Sequence, residues 1–165
     1  VKATLKKSPS LKALEYLKEV LFYMGFENLS VKITSEGSDF CEIKIDSDNP
    51  DDIKLIIGKY GSTLEALQYL TSFVANEKNE RDEFYKIRLE AGNYREKRKE
   101  VLTDLAKRIA EKASVTHRII NLEPMKSYER KIIHTAVGEI EGVKSWSTGE
   151  GERRHIVIAP DEGKN

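Results

Sequence analysis

The chain has 165 residues, 39% of them hydrophobic, which suffices for one ordinary domain or two small ones and excludes a globally disordered polymer. Its 28 Lys and Arg balance 28 Asp and Glu, so net charge carries no overall basic signature and any anion binding must come from local patches. A single cysteine, Cys41, excludes an internal disulfide and a cysteine-rich zinc site, and no run of about 18 apolar residues is present to span a membrane.

Residues 1–9 lack apolar periodicity and read as a linker or the end of something longer, and no apolar stretch follows their lysines to make a signal peptide, so a soluble, cytoplasmic chain is expected. Ser10 is placed to cap a helix carrying Leu11, Leu14, Leu17, Leu21 and Met24 at helical spacing, with Gly25 to stop it. Leu29, Val31 and Ile33 alternate with polar neighbours, as do Cys41, Ile43 and Ile45 beyond a turn at Ser35 to Ser38, which predicts a β-hairpin. A short helix over Asp51 to Ile57 runs into Gly58-Lys59-Tyr60-Gly61. Ser62 then caps a further helix striped by Leu64, Leu67, Leu70 and Val74. Glu77 to Asp82 reads as a polar loop, and Tyr85, Ile87, Leu89 and Ala91 share one face of a strand closed by Gly92.

A second unit opens with a long helix over Tyr94 to Ala113, its core stripe made of Val101, Leu102, Leu105, Ala106, Ile109 and Ala110. Ile119, Ile120 and Leu122 suggest a short strand. Ser127 to Ile140 is a third helix by the spacing of Tyr128, Ile132, Ile133, Ala136, Val137 and Ile140. Val143 to Trp146 and His155 to Ala159 are two strands around a turn at Ser147 to Glu152. This order mixes hairpins with helices without regular β-α-β alternation, so the class is α+β, in two domains: 10–92 and 93–165.

Two constellations point to chemistry. In Ile56-Ile57-Gly58-Lys59-Tyr60-Gly61-Ser62-Thr63-Leu64 the paired glycines let backbone approach a sugar-phosphate chain. The amides of the following helix and the charge of Lys59 favour a phosphate there. In Arg130-Lys131-Ile132-Ile133-His134 a four-residue spacing puts a guanidinium and an imidazole on one helix face, suited to a phosphate or a stacked base. Arg95, Lys97, Arg98 and Lys99 at the start of the long helix, with Arg153, Arg154 and His155 before the last strand, add a basic setting that a phosphate partner would offset. The competing reading of Arg98 and Lys99 is pairing with nearby Glu residues. Trp146 is read as a core residue in preference to a stacking platform, and Cys41 as a plain core residue.

The segment Ile57 to Leu70 resembles the KH core of the Jag family, also called SpoIIIJ-associated protein, and the element order matches a type II KH domain. The stretch Leu122 to His134 resembles that family's R-three-H motif, an arginine and a histidine separated by three residues. Tyr94 to Arg98, the Ser147 to Glu150 turn and His155 to Pro160 resemble it too, so the likeness covers about residues 10 to 160 in family order. The resemblance implies a type II KH domain clamping about four single-stranded nucleotides, followed by a small α+β R-three-H domain making a second contact. The contact residues it implies are Gly58, Lys59, Tyr60, Gly61, Ser62, Arg95, Arg98, Arg130, His134 and Arg154. It further implies a binder of single-stranded RNA, or of single-stranded DNA, acting as an RNA chaperone or post-transcriptional regulator linked to cell-wall homeostasis and cell length. Its expected partner is a second copy or a small single-KH-domain protein.

Family loops often have a basic residue where this chain has Tyr60, so one charge is exchanged for an aromatic face. The likeness covers about residues 10 to 160, so functions that belong to the family's N-terminal domain, membrane association first among them, are not carried over by it. No H-E-x-x-H, G-x-S-x-G or Walker A sequence occurs, and His117, His134, His155 and Cys41 fall in no recognised catalytic spacing; no catalytic residue, metal or cofactor is expected. The rival expectation is a protein-interaction module in which the KH fold docks a partner and the glycine loop is only a turn.

Overall fold

The structure, a computed structural model, describes residues 7–77 and 83–161. They form two compact units, Val1–Tyr94 and Arg95–Asn165, each built on its own three-stranded sheet. Most of the expected linker at 1–9 and of the expected loop at Glu77 to Asp82 lies outside the described residues.

In the first unit the elements run α1 (Pro9–Tyr23), β1 (Leu29–Glu36), β2 (Phe40–Ser47), α2 (Pro50–Ile57), α3 (Ser62–Asn76) and β3 (Lys86–Ala91). β1 and β2 are an antiparallel hairpin, and β3 lies parallel to β2, giving the order β1-β2-β3. A register shift between Ile33 and Ser35 lengthens the hairpin, so its turn lies at Gly37 to Asp39 instead of Ser35 to Ser38. Leu17 and Leu21 of α1, Ile43 and Ile45 of β2, Leu64 of α3 and Leu89 of β3 are fully buried in one core. Each such side chain contributes roughly 1.5–3 kcal/mol relative to exposure. The Asn76 carboxamide accepts from Tyr85 N–H at 2.8 Å and donates to the Tyr85 carbonyl at 2.9 Å, fastening the end of α3 to the approach of β3. The Gln68 carboxamide oxygen accepts from Leu89 N–H at 3.0 Å, satisfying a donor of this edge strand from the same helix.

Two expected caps shift. α1 is capped by Ser8, whose hydroxyl accepts from Leu11 N–H at 3.3 Å, because Pro9 is suited to the first helical position. Ser10 is instead buried inside the first turn, its hydroxyl directed to the Glu36 carboxylate. α3 is capped by Gly61 in the left-handed conformation, and Ser62 is already helical.

The second unit runs α4 (Tyr94–Thr116, its first residue still packed on the first unit's core), β4 (Ile120–Asn121), α5 (Ser127–Gly138), β5 (Val143–Thr148) and β6 (His155–Pro160). The sheet is antiparallel in the order β4-β6-β5, which leaves β5 at an edge. Leu102, Ala106, Ala110 and Ala113 of α4 share a core with Ile133, Ala136 and Val137 of α5 and with Ile156 and Ile158 of β6. Val101 departs from the expected stripe: it is 57% exposed, one position round the helix from Leu102. Among the described residues no helix is long and apolar enough to cross a membrane.

Candidate functional site

The glycine loop is held by contacts that only glycine permits. Gly58 has φ 70°, and a Cβ there would collide with the Thr63 hydroxyl of the next helix. Gly61 has φ 78°, and a Cβ there would stand 2.7 Å from the Tyr94 ring. Between them Tyr60 is itself left-handed at φ 52°, a conformation that costs a bulky residue on the order of 1 kcal/mol or more. The chain thus folds back within two residues, Gly61 N–H reaching the Gly58 carbonyl at 3.3 Å. Lys59 and Tyr60 project at the tip, both exposed, with the Lys59 ammonium 5.4 Å from the Tyr60 ring centroid. Lys59 makes no ion pair among the described residues. Directly behind them α3 begins without a side-chain cap, so its first amides and its dipole face the same point as the Lys59 charge.

In the second unit a run of hydrogen bonds joins Arg130 to Arg154, and a separate one holds His134. Arg130 donates to the Met125 carbonyl at 2.7 Å, and Met125 N–H donates to the Arg154 carbonyl at 3.2 Å. The Arg154 guanidinium donates to the Ser147 hydroxyl at 3.0 Å and the Gly149 carbonyl at 3.1 Å. His134 Nδ1 meets the Ser145 hydroxyl at 2.7 Å. Ser145 and Ser147 are two apart on edge strand β5 and therefore point to one side, about 7 Å from each other. His134 is thereby fixed at the seam between α5 and β5, Arg154 against the turn that follows β5, and Arg130 sits one turn before His134. The imidazole Nε2 and the remaining Arg130 N–H groups make no hydrogen bond among the described residues, leaving them able to receive an anion.

Arg98 has a different role. Its Nε lies 2.7 Å from Glu129 Oε1 and the pair is enclosed, Arg98 being 18% exposed and Glu129 only 2%. The other Glu129 oxygen accepts from Lys126 N–H at 3.3 Å, so the ion pair ties α4 to the start of α5. Arg98 is thus partnered across helices and is not a free cation of a basic patch. Arg95 is half-buried in the first turn of α4. The preference for a core Trp146 is overturned: it stands outside the core of this unit, 40% exposed, on the side of β5 that also carries exposed Lys144 and Thr148. Sequence reasoning missed Ser145 and Ser147 as the groups that orient His134 and Arg154; their two-residue spacing in a strand was the available signal. It also missed Glu129, whose burial nothing in the local pattern announces. Burial pushes the Cys41 thiol up to about 11, aided by the Glu36 and Glu42 carboxylates, consistent with an inert core thiol.

Residues 12–87 match the family model described as KhpA/KhpB, KH domain, and residues 100–160 match the model of the R-three-H domain. The RNA-binding protein KhpB of Clostridium symbiosum is 39% identical over 159 residues, covering 96% of this chain and 69% of that protein. The RNA-binding protein KhpB of Bacillus subtilis (strain 168) is 44% identical over 107 residues, 64% of this chain and 50% of that one. The protein of the same description from Streptococcus pneumoniae (serotype 2, strain D39) is 34% identical over 116 residues, 70% of this chain and 34% of its own length.

Proposed function

This chain belongs to the KhpB, or Jag, family of proteins with KH and R-three-H domains, and on that premise we propose that it binds single-stranded RNA through two sites. The KH unit, residues 10–92, grips a strand with the Gly58 to Gly61 backbone, Lys59, Tyr60 and Ser62. The R-three-H unit, residues 93–165, holds a neighbouring phosphate or sugar with Arg130, His134 and Arg154, flanked by Arg95. Arg98 supports the second site by fixing α5 through Glu129. The cellular role is that of a cytoplasmic RNA chaperone or post-transcriptional regulator tied to cell-wall homeostasis and cell length, without catalysis.

One observation carries this reading. The loop holds left-handed backbone at Gly58, Tyr60 and Gly61 and projects a lysine, free of ion pairs among the described residues, and an aromatic ring in front of a helix start with no side-chain cap. A mere helix-helix turn needs none of that. The experiment is fluorescence anisotropy of a short labelled single-stranded RNA at two salt concentrations, against the wild type, Lys59→Asp with Tyr60→Asp, and Arg130→Ala with His134→Ala. Circular dichroism checks that each variant is folded. Salt-sensitive binding lost in both folded variants supports two RNA sites; a wild type that binds no RNA sinks the reading.

A second reading rests on a specific surface. Tyr69 and Phe73 lie one turn apart on the outer side of α3, both largely exposed, with Leu70 beside them. That patch suits pairing with a second copy or with a small single-KH-domain protein, which would also align weak nucleotide sites. Tyr69→Glu with Phe73→Glu should leave a monomer in sedimentation velocity if the wild type dimerises through it.

A further inference from the structure

Trp146 is the chain's only tryptophan. It occupies the middle of β5, and the alternation of that strand divides its neighbours cleanly between two sides. Ser145 and Ser147, on one side, hold the imidazole of His134 and the guanidinium of Arg154. Trp146, on the other, has Lys144 and Thr148 as its exposed neighbours along the strand and Val157 directly across on β6. Because β5 is the edge of the sheet, both sides are reached from a single rim.

We infer that Trp146 is a base-stacking platform, so that a single strand running along the β5 edge puts phosphates against His134 and Arg154 and lays a base on the indole. The inference rests on the RNA-binding reading above and adds a residue that sequence reasoning assigned to the core. An indole at an outward strand position forgoes much of the burial that would stabilise it, yet every nucleobase offers it a π-face. Single-stranded nucleic-acid sites combine a cationic track for the backbone with an aromatic surface for bases. Here the serines that hold the cationic groups flank the indole on the same edge strand, each one residue away and on the opposite face. Stacking is tolerant of base identity, so this contact adds affinity for any unpaired base and excludes bases locked in a duplex.

The single tryptophan makes the test direct in the full chain. Unlabelled oligouridylate is titrated while Trp emission is read, beside an abasic ribose-phosphate oligomer of equal length; binding of labelled oligouridylate is followed by anisotropy in parallel. The expected result is quenching by oligouridylate that saturates at the concentrations where anisotropy rises, and no quenching by the abasic oligomer. Trp146→Ala should weaken binding on the order of 5- to 100-fold, and Trp146→Phe should restore most of it. Anisotropy that reports binding with unchanged emission, equal quenching by the abasic oligomer, or a Trp146→Ala protein that binds as the wild type does would each overturn the stacking contact while leaving the RNA reading intact. If oligouridylate and mixed-sequence RNA both fail to bind, the RNA reading falls and the stacking contact falls with it.

Discussion

Replacing Lys59 separates an electrostatic grip from a structural turn, because this side chain does little for the fold. It is exposed, makes no ion pair among the described residues, and lies 5.4 Å from the Tyr60 ring centroid. Losing an exposed cation–π contact costs about 0.5–1 kcal/mol at most. Such a loss moves the melting temperature of a unit this small by about 2–8 °C. A solvated lysine about 4 Å from a phosphate is worth about 1 kcal/mol in water. Lys59→Ala should therefore raise Kd about 5-fold, and Lys59→Asp, which replaces attraction by an equal repulsion, about 30-fold. Each single-strand phosphate neutralised contributes about 0.7 to the slope of log K against log salt, so between 50 and 200 mM the wild type should lose roughly 2.6-fold more affinity than Lys59→Ala. Anisotropy titrations of one labelled single strand at several salt concentrations give both quantities. An Ala variant that keeps the wild-type salt slope, or a loss that is the same for Ala and Asp, would refute a phosphate at this loop.

Gly61→Ala should destabilise the first unit by about 1–3 kcal/mol in urea unfolding, since it imposes a strained φ and a clash with Tyr94. Gly138→Ala is its control: an added Cβ there meets nothing within 4 Å, the position is helical, and a gain of about 0.5–1 kcal/mol is expected. Glu129→Gln should cost about 3 kcal/mol in urea unfolding, the low end for breaking a buried pair because Arg98 retains some solvent. A loss below about 1 kcal/mol, the worth of a surface pair, would make that contact superficial. The Cys41 thiol, held at about 11, should react with a disulfide reagent at pH 8 more than about a hundredfold slower in the folded protein than in urea. Its raised folded pKa contributes stability below the unfolded thiol value of about 8.5, and that contribution is lost as pH rises toward about 11.

The fold was largely legible because its elements are written in periodicities that survive without knowing the neighbours. Leu17 and Leu21 at helical spacing, and Ile43 and Ile45 alternating, are buried where that spacing puts them. Boundaries were less legible, and the reasons are local chemistry. Pro9 took the first helical position and passed the cap back to Ser8, and the left-handed turn at Gly61 left Ser62 inside the helix. Val101 shows the limit of a stripe: apolar character alone does not reveal that a residue stands just outside the buried arc.

The site was legible in its types and not in its partners, and the difference matters for what a variant can report. Guanidinium groups read from sequence are all alike, yet here Arg98 is enclosed with Glu129, Arg130 closes on the Met125 carbonyl, and Arg154 staples the hairpin through Ser147 and Gly149. Removing any of them takes away a structural bond worth about 1 kcal/mol or more before any RNA contact is counted. Lys59 at its exposed tip and His134 with one nitrogen on Ser145 are bound much less tightly into the fold. Affinity lost in an Arg98 variant is therefore ambiguous between fold and contact. Loss at Lys59 or His134 with unchanged unfolding locates the RNA, and those two positions are where charge can be altered with the framework left standing.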